Sequence, residues 1–241
     1  MKYSMPIRVR YSETNKYGYT DLHKILEYFQ DCSIFHSESL GYRVQEELEI
    51  NRGWFLLAWD VKIRRYPSMG QELKVVTEPY KMKGFYGYRR FWLLDDQGMP
   101  LVSADSLWML MDLKKMLPWR VPEEMTRAYV SGVTDDSVRI KRKLPDRGDW
   151  EETGKIRVGK HYLDSNSHVN NTFYAMWAEE CIPPGFRTAG LKIDYRQSSF
   201  ENDVITIDRI IETDKVRCRF RNQEEKLICL VELYEQTEET S

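Results

Sequence analysis

The chain has 241 residues, 41 % hydrophobic and 31 % charged, a formal net charge of -2 and a mean hydropathy of -0.61. Such a composition excludes a disordered or fibrous chain, and the near-neutral charge argues against a nucleic-acid binder. No apolar run approaches the roughly 18 residues of a membrane-spanning helix, and residues 1–10 lack the apolar core of a secretory signal, so a cytoplasmic protein without a membrane span is expected.

The length suits one large domain or two of about 120 residues. The first strong periodicity is helical: Leu22, Ile25, Leu26 and Phe29 fall on one face, with Thr20 as the expected cap and Gly41 as the expected stop. Strands are expected at 54–65, 72–78, 85–94 and 101–111, with Asp95-Asp96-Gln97-Gly98 turning the chain between the last two. Residues 113–153 carry Pro118, Pro122, Pro145 and many charges, as a crossing linker would. A second helix is marked by Tyr174, Trp177, Ala178 and Cys181 and ends at Pro183-Pro184-Gly185. Further strands follow at 191–196, 204–212, 216–221 and 226–234. In the third of these, Val216, Cys218 and Phe220 alternate with Arg217, Arg219 and Arg221.

These elements repeat. Residues 9–32 laid over 158–181 place Tyr28 on Trp177, Asp31 on Glu180 and Cys32 on Cys181, and Lys62-Ile63 later falls on Lys192-Ile193. A helix followed by four or five antiparallel strands, made twice, is an α+β arrangement with a sheet wrapped round each helix and the two sheets joined into one layer. The expected division is 1–125, a linker at 126–153, and 154–241.

The densest group of chemically able residues is Asp164-Ser165-Asn166-Ser167-His168-Val169-Asn170-Asn171, just before the second helix. The first repeat has Asn15, Tyr17 and Tyr19 where the second has Asp164, Asn166 and His168, so two halves would share one site. A loop entering a helix N-terminus offers unpaired N–H groups that can hold an oxyanion, and a carboxylate, an amide and an imidazole can position and deprotonate water. The plainer reading is that Asp and Asn form turns and caps, with Asn171 purely a cap. Cys32, Cys181, Cys218 and Cys229 are scattered and read as free thiols rather than disulfides or metal ligands.

The loop resembles the Asp-x-Asn-x-His-Val-Asn-Asn motif of the acyl-ACP thioesterase family, a family of two tandem hot-dog repeats. The likeness extends over Val9-Arg10-Tyr11, residues 64–70, Trp108, Trp119-Arg120-Val121-Pro122 and Leu191-Lys192-Ile193-Asp194-Tyr195-Arg196. It implies hydrolysis of fatty acyl-ACP to free fatty acid and carrier protein, ending chain elongation in fatty acid biosynthesis, with no metal or organic cofactor. Asp164, Asn166 and His168 would be catalytic. One departure stands out: where the family often has Glu followed by Cys, this chain has Ser198-Ser199. Water attack is therefore expected, with Asp164 or His168 as base, Asn166 holding the reacting groups, and N–H groups of Val169, Asn170 and Asn171 receiving the oxyanion. Glu201 is the candidate replacement carboxylate, Glu180 a weaker one, and Cys181 reads as core.

The acidic carrier would be steered by a basic run, with Arg89-Arg90, Lys114-Lys115 and Lys141-Arg142-Lys143 as candidates. An acyl-CoA thioesterase, a hot-dog dehydratase or hydratase, and a non-catalytic acyl-binding protein remain as alternatives. A monomer and a homodimer are both compatible with a double repeat.

Overall fold

The computed structural model describes residues 1–130, 140 and 143–236. The chain forms two compact units, Met1–Trp59 with Arg64–Ile140, and Asp60–Ile63 with Lys141–Ser241.

In the first unit the elements are β1 (Tyr3–Arg8), a 3-10 turn (Tyr11–Glu13), α1 (Leu22–Ser39), α2 (Val44–Glu49), β2 (Arg52–Ile63), β3 (Glu72–Lys83), β4 (Tyr86–Leu94), β5 (Pro100–Asp112), β6 (Leu117–Pro118) and α3 (Glu123–Tyr129). The strands are ordered β1-β3-β4-β5-β2, with β6 beside β5. Strand β4 shows why: Gly87, Arg89, Phe91 and Leu93 are buried while their neighbours are not, the period of two that one covered sheet face demands. The expected turn is present, with Gly98 at φ 79° and the Asp95 carboxylate accepting from the Gln97 and Met99 N–H groups.

The face of α1 that carries Leu22, Ile25, Leu26, Phe29 and Cys32 is fully buried. Phe29 meets Phe91 at 5.1 Å and Trp59 at 6.1 Å between ring centroids. Burying each large side chain contributes about 2 kcal/mol, and this contact rather than capping fixes the helix. Thr20 is not the cap: Asp21 occupies that position, and the buried Thr20 hydroxyl donates to Pro67 O at 3.2 Å. Gly41 follows the helix end with φ 86°, where a side chain would be strained.

The second unit holds β7 (Glu151–Arg157), a 3-10 turn (Lys160–Tyr162), α4 (Thr172–Glu179), β8 (Thr188–Tyr195), β9 (Val204–Ile211), β10 (Lys215–Arg221) and β11 (Leu227–Glu235), in the strand order β8-β11-β10-β9-β7. At eight residues α4 is too short to persist on propensity alone. It is held by aromatic packing: Tyr174 edges onto Phe220 at 5.3 Å and onto Tyr195 at 5.9 Å. On the other face of β10, Arg219 and Arg221 reach the Asp208 carboxylate at 2.8 and 2.6 Å.

Three elements differ from the expected division. α3 runs through residue 125, β7 begins inside the expected linker, and β1 precedes everything the periodicity marked. Both strands are short edge strands in which no residue is fully buried, which leaves little pattern to detect. Much of the expected linker, residues 131–139 and 141–142, lies outside the described residues.

The first unit also carries an acid sensitivity. His36 is 1 % exposed, and burial, reinforced by the Arg89 charge, holds its imidazole down to about 4; burial lowers His23 as well. Unfolded, a histidine takes a proton near pH 6.5, so below that the unfolded chain binds more protons than the folded one. The stabilising effect of keeping His36 neutral is complete above about pH 6.5 and is lost as pH falls toward 4, on the order of 1 kcal/mol per pH unit. Thermal melting between pH 7.5 and 4.5 should show this slope, and His36→Gln should flatten it; an equal slope in both proteins would refute the assignment.

Candidate active site

The loop before α4 is built as a closed turn. Lys160–Tyr162 form the 3-10 turn, Leu163 bridges to Val169, and Asp164 N–H donates to His168 O at 2.8 Å. One carboxylate oxygen of Asp164, Oδ1, accepts from the N–H groups of Asn166 at 2.8 Å and His168 at 3.2 Å. Ser167 takes φ 62° at the tip.

The first repeat builds the same loop from different residues. Thr14 bridges to Thr20, Asn15 N–H donates to Tyr19 O at 2.8 Å, and Asn15 Oδ1 accepts from the N–H groups of Tyr17 at 3.0 Å and Tyr19 at 3.3 Å. Gly18 stands at φ 79° where the second repeat has Ser167. Each bond of one loop thus has its counterpart in the other, although only the second carries the imidazole. Asp164 Oδ1 does the work of an amide oxygen, that of closing the turn.

His168 is part-exposed and meets the ring of Phe200 edge-on at 5.0 Å, while Asn166 is exposed at the loop tip. Phe200 is itself 51 % exposed, a large apolar side chain left at the surface beside the only imidazole of the motif. Nothing in the spacing of the sequence pointed to it. The other histidines are separate: His23 and His36 are buried in the first unit and His161 is exposed two residues before Leu163.

The expected oxyanion donors divide. Val169 N–H donates to Ser199 O at 2.9 Å and Asn170 N–H to Tyr162 O at 2.8 Å, so both are committed to holding the loop. Among the described residues the Asn171 N–H has no acceptor, and it lies at the N-terminus of α4, where the helix dipole favours negative charge. The cap is made one residue earlier than expected: Asn170 Oδ1 accepts from the N–H and hydroxyl of Thr172 at 3.1 and 3.2 Å, while the Asn171 side chain makes no capping bond. The Tyr195 hydroxyl anchors Asn171 through its carbonyl at 2.8 Å.

Ser198 is exposed, but Ser199 is 1 % exposed and accepts from the buried Tyr174 hydroxyl at 2.9 Å. With Val169 on its carbonyl, Ser199 ties the β8–β9 connection to the motif loop and to α4. Ser199→Ala should lower stability by about 1–3 kcal/mol by stranding the Tyr174 hydroxyl, with turnover kept within a few-fold; Tyr174→Phe in addition should recover most of the stability. Turnover lost a hundredfold at unchanged melting temperature would instead make Ser199 a nucleophile.

Glu201 is exposed in the turn after Phe200, and among the described residues no hydrogen bond or ion pair joins it to the loop. Glu180 is exposed at the far end of α4. Cys181 is 5 % exposed, its thiol on Trp177 O at 3.5 Å, and it stands two residues past the far end of α4, so the eight residues of that helix, about 12 Å of rise, separate it from the loop. Cysteine chemistry at the loop is therefore out of its reach. The basic runs also separate: Arg89 is buried and Arg90 lies over the Tyr80 ring at 4.3 Å, which removes them as a surface patch. Lys114 and Lys115 are exposed, and Lys141 and Arg142 lie outside the described residues.

A helix laid on an antiparallel sheet, made twice, with a polar loop at the second helix and its plain copy at the first, is a double hot-dog protein with one equipped site. Residues 1–129 match the acyl-ACP thioesterase N-terminal domain and residues 148–241 the C-terminal domain, and the chain belongs to the acyl-ACP thioesterase family. It is 28 % identical over 200 residues to a chloroplastic acyl-[acyl-carrier-protein] hydrolase of Cuphea viscosissima, covering 75 % of this chain and 48 % of that one. It is 22 % identical over 227 residues to oleoyl-acyl carrier protein thioesterase 1 of Arabidopsis thaliana, covering 85 % and 62 %. The chain spans about half the length of the first of these relatives. Two solved structures share the fold: an acyl-ACP thioesterase from Bacteroides thetaiotaomicron, with a TM-score of 0.85, 14 % identity and 98 % of each chain covered, and the 12:0-ACP thioesterase from Umbellularia californica, with 0.82, 19 %, and 98 % and 97 % covered.

Proposed function

We propose that the chain hydrolyses the thioester of a fatty acyl group on acyl carrier protein, releasing free fatty acid and the carrier thiol. The observation that carries this reading is the loop duplicated in form but equipped with Asp164, Asn166 and His168 in the second repeat alone. Membership of the acyl-ACP thioesterase family supports the substrate.

His168 is the base. With Oδ1 of Asp164 accepting two backbone N–H groups, the carboxylate serves the loop, whereas the imidazole sits part-exposed at its rim. A water oxygen attacks the thioester carbon as His168 takes one of its protons. The carbonyl oxygen becomes an oxyanion received by the Asn171 N–H, with the Asn166 amide holding water or carbonyl in line. Collapse breaks the C–S bond, and the thiolate leaves with the proton that His168 returns. General-base help of this kind contributes about 10²–10⁴-fold and one oxyanion donor about 10²–10³-fold. Ser198, Ser199 and Glu201 take no part.

Intact-protein mass during turnover of palmitoyl-ACP tests the reading. Free palmitate should accumulate with no acyl adduct on the protein. An adduct on Ser198, Ser199 or Cys181 would overturn the water step, and failure to release acid from any acyl-ACP would overturn the function.

A further inference from the structure

Successive arginines on β4 face opposite ways, and they end in different company. Arg90 lies over Tyr80 and 3.6 Å from the Asp105 carboxylate. Arg89 points under the C-terminal half of α1 and is 7 % exposed. Its Nη1 donates to His36 Nδ1 at 3.2 Å and to Thr77 Oγ1 at 3.3 Å, and its guanidinium lies 5.6 Å from the centre of the Tyr129 ring. Among the described residues no carboxylate pairs with it. Burial lowers the guanidinium only to about 10, so it is a cation at neutral pH, and a buried cation without a counter-charge is costly.

The groups around Arg89 are donors as well. Because Arg89 donates to Nδ1, a neutral His36 must carry its proton on Nε2, and that nitrogen is buried with no acceptor among the described residues. The Tyr129 hydroxyl is buried as well, with the Ser37 hydroxyl beside it. Thr77 cannot help, since its hydroxyl already donates to Arg90 O. Cys32, which also faces Arg89, is a thiol pushed by burial to about 12. The Met1 amino group, a second cation felt by both Arg89 and His36, donates to Tyr129 O at 2.9 Å and has Glu78 nearby. The result is a buried group of N–H and O–H donors round the guanidinium.

The fold does not demand this charge. Phe220 stands against Tyr174 of α4 as Phe91 stands against Phe29 of α1, and two residues before each phenylalanine come Cys218 and Arg89. The second repeat fills the matching place with a neutral thiol. Size is set by aromatic walls in contact with one another: Tyr3 stacks on His36 at 5.4 Å, His36 edges onto Tyr129 at 5.8 Å, and Tyr42 stacks on Tyr129 at 5.4 Å. Rings packed this closely restrict any bound acceptor to a single small ion.

We propose that Arg89, His36 and Tyr129 form a binding site in the first repeat for a monovalent anion of halide size. The ion accepts from the guanidinium, from His36 Nε2–H and from the Tyr129 hydroxyl, and it neutralises the buried cation. The site lies in the repeat that lacks the motif and does not depend on the proposed hydrolysis.

Bromide tests it on the full chain. Crystals soaked in sodium bromide should give an anomalous peak within hydrogen-bond distance of Arg89 and His36 Nε2. In solution, sodium bromide against sodium gluconate at matched ionic strength should raise the melting temperature by a few degrees and saturate. His36→Leu, which removes one donor and keeps the positive charge, should shift that saturation to higher bromide at least tenfold, and Arg89→Met should abolish it. Density at that place without anomalous signal would mean a bound water, and bromide peaks confined to surface lysines would mean an adventitious ion only. Either result overturns the proposal, as does a melting temperature equally insensitive to both salts.

Discussion

Replacing His168 with alanine should lower turnover of acyl-ACP by about 10²–10⁴-fold and leave the melting temperature within a degree or two of the parent. The separation of the two effects follows from how the loop is held. His168 contributes its N–H to Asp164 Oδ1 and its carbonyl to Asp164 N–H, and both are backbone bonds that alanine keeps. The ring contact with Phe200 is made to a side chain that is itself half exposed, so little packing is lost there. What alanine cannot supply is a proton acceptor at the loop rim. Steady-state kcat beside a thermal melt decides the matter: full turnover in the variant would remove His168 as the base, and a collapsed melt would show a structural role.

Asp164 should behave differently with each replacement. Asp164→Ala removes the oxygen that accepts two backbone N–H groups, costing about 1–3 kcal/mol of stability and, by loosening the loop, at least tenfold in kcat. Asp164→Asn keeps an acceptor in the same place, and the first repeat shows the same turn closed by Asn15 at 3.0 and 3.3 Å. The asparagine variant should therefore retain the parent melting temperature and keep kcat within a few-fold. If Asp164→Asn is as inactive as Asp164→Ala while melting like the parent, the carboxylate charge itself takes part and the division of labour between Asp164 and His168 must be redrawn.

Why the sequence revealed some of this and not the rest is visible in particular residues. The helix with Leu22, Ile25, Leu26 and Phe29 and the apolar alternation of Val216, Cys218 and Phe220 are legible because the face packed against a neighbour must be apolar at a regular spacing, even though Arg217 between them is buried as well. Arg89-Arg90 reads as one basic run able to steer the carrier, yet on a strand neighbours face opposite ways, and Arg89 is buried under α1. The duplicated loop was legible as an alignment, but the role of Asp164 was not, because a carboxylate that closes a turn and one that takes a proton are the same letter. Phe200 beside His168 and Ser199 behind Val169 depend on the β8–β9 connection folding back on the loop, a pairing across some thirty residues that no local pattern announces. The cap likewise moved from Asn171 to Asn170, one residue being the ordinary width of error where a short helix begins in a tight turn.

The most direct measurement is the rate of thiol release by the purified chain from a series of acyl-ACPs and from the matching acyl-CoAs under identical conditions. Acyl-ACP should be turned over with a higher kcat/KM than the CoA ester of the same acyl chain. Equal or faster hydrolysis of the CoA esters would contradict the carrier assignment, and binding of acyl-ACP without release of thiol would contradict the hydrolytic one.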